Sequence, residues 1–147
     1  MKIELITDWE NFISDIAKAE QICILQPWSR QALEDFLSYE YNGALCALVD
    51  GEFAGYITYT VVCDEFQIAN IATLPEFRRK KVASTILERI KDMAKDEKSE
   101  VITLEVRATN KPAISLYEKH GFFVCGTRKG YYKHPTDDAL LMNLWLK

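Results

Sequence analysis

Residues 70–83 read Asn-Ile-Ala-Thr-Leu-Pro-Glu-Phe-Arg-Arg-Lys-Lys-Val-Ala and predict an apolar strand, a proline turn and the start of an amphipathic helix. The four consecutive cations, Arg78, Arg79, Lys80 and Lys81, fall at that helix start. A helix N-terminus carries a partial positive charge and unpaired N–H groups, so cations are unfavourable there unless an anion is bound. The segment therefore has two interpretations: a phosphate-binding turn, or a basic turn that is only solvated.

The composition of the whole chain favours a small polyanion over a nucleic acid as the ligand of this turn. With 147 residues, of which 48% are hydrophobic, the chain predicts one domain, residues 1–147, with a real core. The net charge of −4 makes the basic run a local feature, so no direct nucleic-acid binding is expected. No apolar run approaches the roughly 20 residues of a membrane span, and no signal peptide is expected at the N-terminus.

The four cysteines predict a reducing compartment. Cys23, Cys46, Cys63 and Cys125 form no C-x-x-C pair and lie in apolar stretches of sequence. This is typical of reduced, buried thiols. The expected location is the cytoplasm.

Hydrophobic periodicity extends the prediction outward from residues 70–83. Val82, Ile86, Ile90 and Met93 form the apolar stripe of a helix to about Lys98, and a strand follows at residues 101–106. Strand, helix and strand form a parallel β-α-β unit. The remaining predicted strands are residues 2–7, 44–49, 54–62, 66–73, 122–128 and 139–146, and the remaining helices are 9–19, 29–39 and 110–120. The fold class is α/β (α+β), a mixed, mostly antiparallel sheet with a central parallel β-α-β unit and flanking helices.

This order of elements and six short motifs resemble the GNAT superfamily of acetyl-CoA-dependent N-acetyltransferases. Within it, the chain is similar to the RimI-type ribosomal-protein-alanine N-acetyltransferases. The motifs lie between about Pro27 and Leu146 and are Pro27-Trp28-Ser29, residues 70–73, residues 104–110, residues 113–118, Gly121-Phe122 and Tyr131-Tyr132.

The resemblance implies acetyl-CoA as the donor and no metal. The acetyl-CoA motif of the family, Gln/Arg-x-x-Gly-x-Gly/Ala, corresponds to residues 78–83, where Lys81 replaces the first glycine. A lysine at this position can donate its N–H to the cofactor if it adopts helical backbone angles, and its ammonium can add an ionic contact. Backbone groups of Ile71, Ala72 and Thr73 would bind the pantetheine arm, and those of Arg79, Lys80, Lys81, Val82, Ala83 and Ser84 the pyrophosphate. Asn110 would bind the pantetheine arm, cap a helix, or do both.

The resemblance also implies two catalytic residues. Acetylation of an amine needs a base, because an α-amine with a pKa of about 8 is largely protonated near neutral pH. Glu105, acting through a water, is the candidate base, and Tyr117 is the candidate acid for the departing CoA sulfur. The alternatives are a structural Glu–Arg pair at the end of a strand, and a core tyrosine with a satisfied hydroxyl.

The acceptor is a protein or peptide N-terminus by the same resemblance. Trp28, Tyr131 and Tyr132, the tyrosines on a loop, are candidates for lining the peptide site, or are surface-packed rings. Asp137 and Asp138 attract a basic peptide or are turn residues without a partner. The implied reaction is direct acetyl transfer to a protein N-terminal α-amine, on a ribosomal protein with N-terminal alanine. The alternatives are a lysine, a polyamine or another small amine as acceptor, and a non-catalytic CoA-binding module.

Overall fold

Seven strands and four α-helices follow one another in the predicted order in the computed structural model, which describes residues 1–146. The strands are β1 (Ile3–Ile6), β2 (Asn42–Val49), β3 (Glu52–Val62), β4 (Glu65–Thr73), β5 (Val101–Arg107), β6 (Phe123–Lys133) and β7 (Thr136–Trp145). The helices are α1 (Ile13–Cys23), α2 (Arg30–Leu37), α3 (Val82–Asp96) and α4 (Lys111–Lys119). The sheet order is β1-β2-β3-β4-β5-β7-β6, which confirms the predicted mixed sheet with flanking helices.

The chain divides into two compact units. The first contains residues 1–60 and 69–89, and the second contains residues 61–68 and the chain from Ile90 onward. Strand β4 and helix α3 contribute residues to both units.

In the first unit, β1, β2 and β3 pair antiparallel, and α1 and α2 supply much of the core. Helix α2 begins where the sequence predicts, because the Ser29 side chain accepts a hydrogen bond from the Ala32 N–H at 3.1 Å. Gly55 on β3 permits a close approach to β4, since a Cβ there would lie 2.5 Å from the Ala72 carbonyl oxygen. The backbone at Ala72 is thus fixed by the neighbouring strand.

In the second unit, a parallel ladder pairs Glu65–Gln67 of β4 with Val101–Thr103 of β5, as the β-α-β pattern predicts. β5 pairs antiparallel with β7, and β7 with β6. Helix α4 begins at its predicted cap, where the Asn110 side chain accepts from the Ala113 N–H at 3.3 Å. It stops before Gly121, whose φ of 96° suits glycine.

The predicted bounds of the last two strands, and the loop predicted for Tyr131 and Tyr132, are wrong. β6 runs to Lys133 and β7 starts at Thr136, so Tyr131 and Tyr132 lie in a strand and not on a loop. β6 lies at an edge of the sheet, and most of its side chains are exposed, so its sequence lacks the apolar alternation that would reveal its length.

The cysteines are free thiols, but only Cys46 is buried, whereas Cys63 and Cys125 are exposed. Cys63 occupies the turn between β3 and β4, and Cys125 lies at a register shift of the edge strand. No helix within residues 1–146 combines the length and the apolar character that crossing a membrane requires.

Candidate functional site

The candidate pantetheine strand, Ile71–Thr73, forms the end of β4, beyond the last pair of the parallel ladder. Its final carbonyl is already engaged within the first unit. The Thr73 carbonyl accepts from Arg78 Nε at 3.2 Å and from the Cys23 thiol at 3.6 Å. Arg78 is therefore held against the strand that it follows. Burial, partly opposed by the charge of Arg78, raises the pKa of the Cys23 thiol.

The basic turn differs from the expectation in its backbone. Helix α3 begins at Val82, so the four cations precede it instead of forming its first turn. Arg79 and Lys81 have φ angles of 65° and 64°, which places them in the left-handed region. The condition of helical angles at Lys81 is therefore not met. The physical reason is that the chain must reverse into the helix here, and the Lys81 carbonyl accepts from the Thr85 N–H at 3.0 Å and its hydroxyl at 2.7 Å.

The remaining residues of the candidate pyrophosphate cradle differ in exposure. Arg79, Lys80 and Lys81 are exposed, Ala83 and Ser84 are half-buried, and Val82 is buried. The cations are thus accessible to an anion, while Val82 anchors the start of α3 in the core of the protein.

Trp28 belongs to a polar network that sequence reasoning missed. Its N–H donates to Glu20 Oε2 at 3.0 Å, and its carbonyl accepts from Gln21 Nε2 at 3.4 Å. Glu20 is fully buried, and its carboxylate also accepts from the Tyr56 hydroxyl and from Asn70 Nδ2. Burial, and then the bond to Glu20, raise the pKa of Tyr56. The available signal was that Glu20 falls on the apolar stripe of α1, four residues after Ile16.

Glu105, in the second unit, is an accessible carboxylate on β5. Its side chain is 33% exposed and pairs with Arg128 Nε of β6 at 3.5 Å. A Glu–Arg pair, the structural alternative to a catalytic role, is therefore present, with Arg128 of β6 as its arginine and not Arg107 of the same strand. Arg107 instead donates through Nη1 to the Pro135 carbonyl at 2.8 Å, and its guanidinium lies 4.3 Å from the centre of the Tyr132 ring.

Tyr117 lies on α4 and is 6% exposed. Its ring packs edge-on against Phe122, with the two ring centres 5.9 Å apart. Its hydroxyl makes no hydrogen bond to another protein group within residues 1–146. Burial, followed by the neighbouring Tyr132, raises the pKa of Tyr117. The phenol is thus protonated at neutral pH and able to donate.

Tyr131 and Tyr132 are adjacent on β6, and their rings meet edge-on at 5.1 Å. Tyr131 is exposed, whereas Tyr132 is half-buried beneath Arg107. Burial, and then the charge of Glu105, raise the pKa of Tyr132. Glu105, Tyr132 and Tyr117 are thereby linked electrostatically in the second unit.

The two aspartates after this strand are not partnerless turn residues, contrary to expectation. They belong to β7, and each is a hydrogen-bond acceptor. Asp137 Oδ2 accepts from the Thr109 hydroxyl at 2.6 Å, a bond that leads the lowering of its pKa. Asp138 Oδ1 accepts from the Gly130 N–H at 2.9 Å, a bond that likewise leads the lowering of its pKa. Asp137 thus links strand β7 to Thr109, which directly precedes the Asn110 cap of α4.

Comparison with known proteins decides the family. The model of the Acetyltransferase (GNAT) family matches residues 9–122. The chain belongs to this family. It is therefore an acetyl-CoA-dependent N-acetyltransferase.

The relatives of this GNAT chain include enzymes that modify protein N-termini. A Bacillus subtilis (strain 168) protein, provisionally named as a ribosomal protein bS18-alanine N-acetyltransferase, is 34% identical over 131 residues, covering 88% of this chain and 87% of that protein. An N-alpha-acetyltransferase of Saccharolobus solfataricus is 39% identical over 109 residues, 65% of each chain. The crystal structure of the ribosomal-protein-S18-alanine N-acetyltransferase from Escherichia coli matches with a TM-score of 0.92 at 27% identity, covering 99% of this chain and 95% of that one.

The two units of this GNAT enzyme offer different chemical groups. Within residues 1–146, no group of three or more His, Cys, Asp or Glu side chains is arranged to hold a metal ion. The second unit offers an accessible carboxylate, Glu105, and a protonated phenol, Tyr117, a group that can accept a proton and a group that can donate one. The first unit offers strand backbone and a basic turn, groups that suit an extended phosphorylated cofactor.

Proposed function

We propose that this GNAT enzyme acetylates the N-terminal α-amine of proteins, with a ribosomal protein bearing N-terminal alanine as the first candidate. The three relatives described above are named for N-terminal or ribosomal-alanine acetylation, in bacteria and in an archaeon. The observation that carries the chemistry is the accessible Glu105 carboxylate beside an arginine, in electrostatic range of Tyr132. A ribosomal acceptor would place the reaction in the cytoplasm.

Glu105 is proposed as the general base. An α-amine with a pKa of about 8 carries a proton at neutral pH, and attack requires its removal. Glu105 accepts this proton through a water, for which the 33% exposure of its side chain leaves room. Because Arg128 contacts Glu105 at 3.5 Å, outside the usual range of a strong hydrogen bond, the carboxylate can exchange that partner for the water.

Tyr117 is proposed as the general acid. The neutral amine attacks the thioester carbonyl, a C–N bond forms, the nitrogen loses its surplus proton to solvent, and the C–S bond breaks with its electron pair on sulfur. The Tyr117 hydroxyl donates its proton to the departing thiolate and is reprotonated from solvent. A buried phenol with a raised pKa and no internal hydrogen-bond partner within residues 1–146 suits this role.

Acetyl-CoA is proposed to be held by backbone groups. Ile71, Ala72 and Thr73 would pair with the pantetheine arm in the manner of an added strand, with Asn110 contributing its side chain. The pyrophosphate would be bound by Arg79, Lys80, Lys81, Val82, Ala83 and Ser84 around the N-terminus of α3. The side chains of Arg79, Lys80 and Lys81 are all exposed, so they are accessible to an anionic ligand, which supports this proposal.

Trp28, Tyr131 and Tyr132 are proposed to contact the acceptor peptide. Trp28 is held through both its N–H and its carbonyl, and Tyr132 is held by Arg107, so each ring is positioned before a ligand arrives. Rigid aromatic rings bind peptide backbone at low entropic cost.

Intact-mass detection of acetyl transfer tests the proposal. The enzyme is incubated with acetyl-CoA and one of two peptides: one with free N-terminal alanine followed by basic residues, the other with a blocked N-terminus and one internal lysine. Modification of the first peptide alone supports α-amine transfer. Modification of the lysine peptide alone redirects the enzyme to side-chain amines. If CoA binds and neither peptide reacts, a small-amine acceptor or a non-catalytic CoA-binding role replaces the proposal.

A further inference from the structure

Glu20 has no role in the proposed chemistry, yet its carboxylate is fully buried and accepts several hydrogen bonds. It lies in the last turn of α1, and its side chain is 0% exposed. Burying a carboxylate is costly unless several donors satisfy it. The donors that satisfy this carboxylate are therefore informative about its role.

Four hydrogen bonds from three donors converge on the Glu20 carboxylate. Oε1 accepts from the Tyr56 hydroxyl and from Asn70 Nδ2 at 3.4 Å. Oε2 accepts from Asn70 Nδ2 at 3.2 Å and from the Trp28 N–H at 3.0 Å. An ionised carboxylate only accepts, so this donor set matches it on both oxygens.

The three donors come from different parts of the first unit. Tyr56 lies on the central strand β3, Asn70 immediately precedes Ile71 on β4, and Trp28 lies in the connection between α1 and α2. Tyr56 and Asn70 have other support, because their backbones belong to the sheet, and the Asn70 N–H also donates to the Thr58 hydroxyl at 3.2 Å. The Trp28 backbone belongs to no helix or strand.

Trp28 therefore depends on α1 for its position. Glu20 holds its N–H and the next residue, Gln21, holds its carbonyl. The Trp28 ring packs edge-on against Phe36 of α2 at 5.2 Å, and it remains 37% exposed. Two consecutive side chains of α1 thus hold the backbone on both sides of the Trp28 Cα, from which this ring projects.

We infer that Glu20 is a positioning residue, which fixes the Trp28 connection for the acceptor peptide through the Trp28 N–H. This inference rests on the proposed function, because Trp28 is proposed there to contact the acceptor. Loss of the hydrogen bond between Glu20 and the Trp28 N–H should weaken acceptor binding more than acetyl-CoA binding, since the backbone of Ala72 is fixed by β3 and not by Glu20.

The test compares Glu20→Gln with Asp15→Asn, which removes one negative charge from an exposed position of the same helix. Steady-state kinetics are measured with the alanine peptide and acetyl-CoA. For Glu20→Gln we expect the peptide KM to rise about tenfold, as is typical for the loss of a hydrogen bond to a charged group, with kcat and the acetyl-CoA KM within about twofold. Asp15→Asn should leave all three unchanged. A fall in kcat with both KM values unchanged would mean a general structural role and would overturn the inference.

A second readout does not depend on acetyl transfer. In a Trp9→Phe, Trp145→Phe background, Trp28 is the remaining tryptophan of the chain, and acrylamide quenching of its fluorescence reports its mobility. Quenching should increase in Glu20→Gln and, to a lesser degree, in Gln21→Ala, whose exposed side chain is removable without disturbing the core. Unchanged quenching in both variants overturns the inference. If Glu20→Gln does not fold, Gln21→Ala alone decides it by the same measurement.

The two readouts also separate this inference from the proposed function. If the wild-type enzyme transfers no acetyl group to the alanine peptide, the proposed acceptor is wrong. Increased quenching in the variants then still supports the conclusion that Glu20 and Gln21 of α1 position Trp28, and unchanged quenching rejects it.

Discussion

Glu20 and Glu105 carry the same functional group in opposite surroundings. Glu20, in the first unit, is fully buried, and neutral donors occupy both of its oxygens. Glu105, in the second unit, has a side chain that is 33% exposed, and its ion pair is with Arg128 at 3.5 Å. A carboxylate with every acceptor site filled cannot take a proton from a substrate. A carboxylate that is exposed to water and has one long ion pair can accept a proton from a substrate.

The difference shows that the surroundings of a carboxylate decide whether it serves as a structural hydrogen-bond acceptor or is available for proton transfer. A buried, saturated carboxylate contributes to stability through its hydrogen bonds. An exposed ion pair contributes about 0–1 kcal/mol, so the Glu105–Arg128 pair adds little to the stability of the fold. Mutations that exchange one oxygen for an amide nitrogen at each position measure this difference directly.

The largest expected effect is on the activity of Glu105→Gln. Removal of a general base typically costs about 10²–10⁴ in rate. The deficit should shrink as the pH rises above about 8, because the α-amine is then already neutral. The measurement is kcat/KM for the alanine peptide as a function of pH. An equal deficit at every pH would contradict proton removal as the role of Glu105.

Arg128→Ala is the matched control for that variant. It breaks the same ion pair but leaves the carboxylate, so a rate within a few-fold of the wild type would attribute the loss in Glu105→Gln to the carboxylate itself. A comparable loss in both variants would instead favour the Glu105–Arg128 pair as the functional unit.

Tyr117→Phe is expected to have the next largest effect. Loss of a general acid should slow transfer by about 10²-fold. The ring contact with Phe122 persists, and the hydroxyl has no partner within residues 1–146, so the melting temperature should change little. Because burial raises the pKa of Tyr117, the wild type should show no loss of activity from this group below a pH of about 10. Wild-type rates in the variant would leave Tyr117 as a packing residue.

The free energy of unfolding distinguishes Glu20 from Glu105 most directly. Glu20→Gln should lower the free energy of unfolding by about 1.5–3 kcal/mol, since an amide N–H would face a donor where an oxygen now accepts. Glu105→Gln should change it by about 0.5 kcal/mol or less. Denaturant titration of the two variants measures both values. Equal destabilisation would remove the distinction between the two carboxylates.

Local patterns were sufficient to predict the elements, because each has a signal in its own residues. The Ser29 and Asn110 caps, the Gly121 stop and the stripe of α3 are read within one or two helical turns. The parallel ladder between β4 and β5 follows from the intervening helix. Edge strand β6 was underestimated, because its exposed residues pair through backbone and carry no periodic pattern.

Contacts between residues distant in sequence were not predictable from one chain. Arg128 reaches Glu105 from another strand, and Asn70 reaches Glu20 from fifty residues away. Neither pair has a spacing that marks it. The roles assigned to Glu105 and Tyr117 came from the resemblance to a family, and the structure adds the exposure of one and the burial of the other.

The smallest expected effect concerns Lys81, where sequence and backbone disagree most. Its φ of 64° lies in the left-handed region, which costs a residue with a Cβ about 1–2 kcal/mol and costs glycine almost nothing. Glycine loses part of that gain to the entropy of the unfolded chain, so Lys81→Gly should stabilise the protein by about 0.5–1 kcal/mol. The matched control is Lys80→Gly, which removes the same charge from the neighbouring position. Since Lys80 is not among the residues with positive φ, that change should destabilise the protein by about 0.5–1 kcal/mol.

The same pair of variants separates conformation from charge in cofactor binding. Titration calorimetry with CoA should show weaker binding for Lys80→Gly if the turn binds the pyrophosphate, because a cation is lost. If Lys81→Gly weakens binding to the same extent, its ammonium is a phosphate ligand and its backbone strain is tolerated for that contact. If Lys81→Gly tightens binding while Lys80→Gly weakens it, the lysine is a handicap at a position whose left-handed backbone favours the glycine of the family motif. Unchanged affinity in both variants would remove the basic turn from the cofactor site.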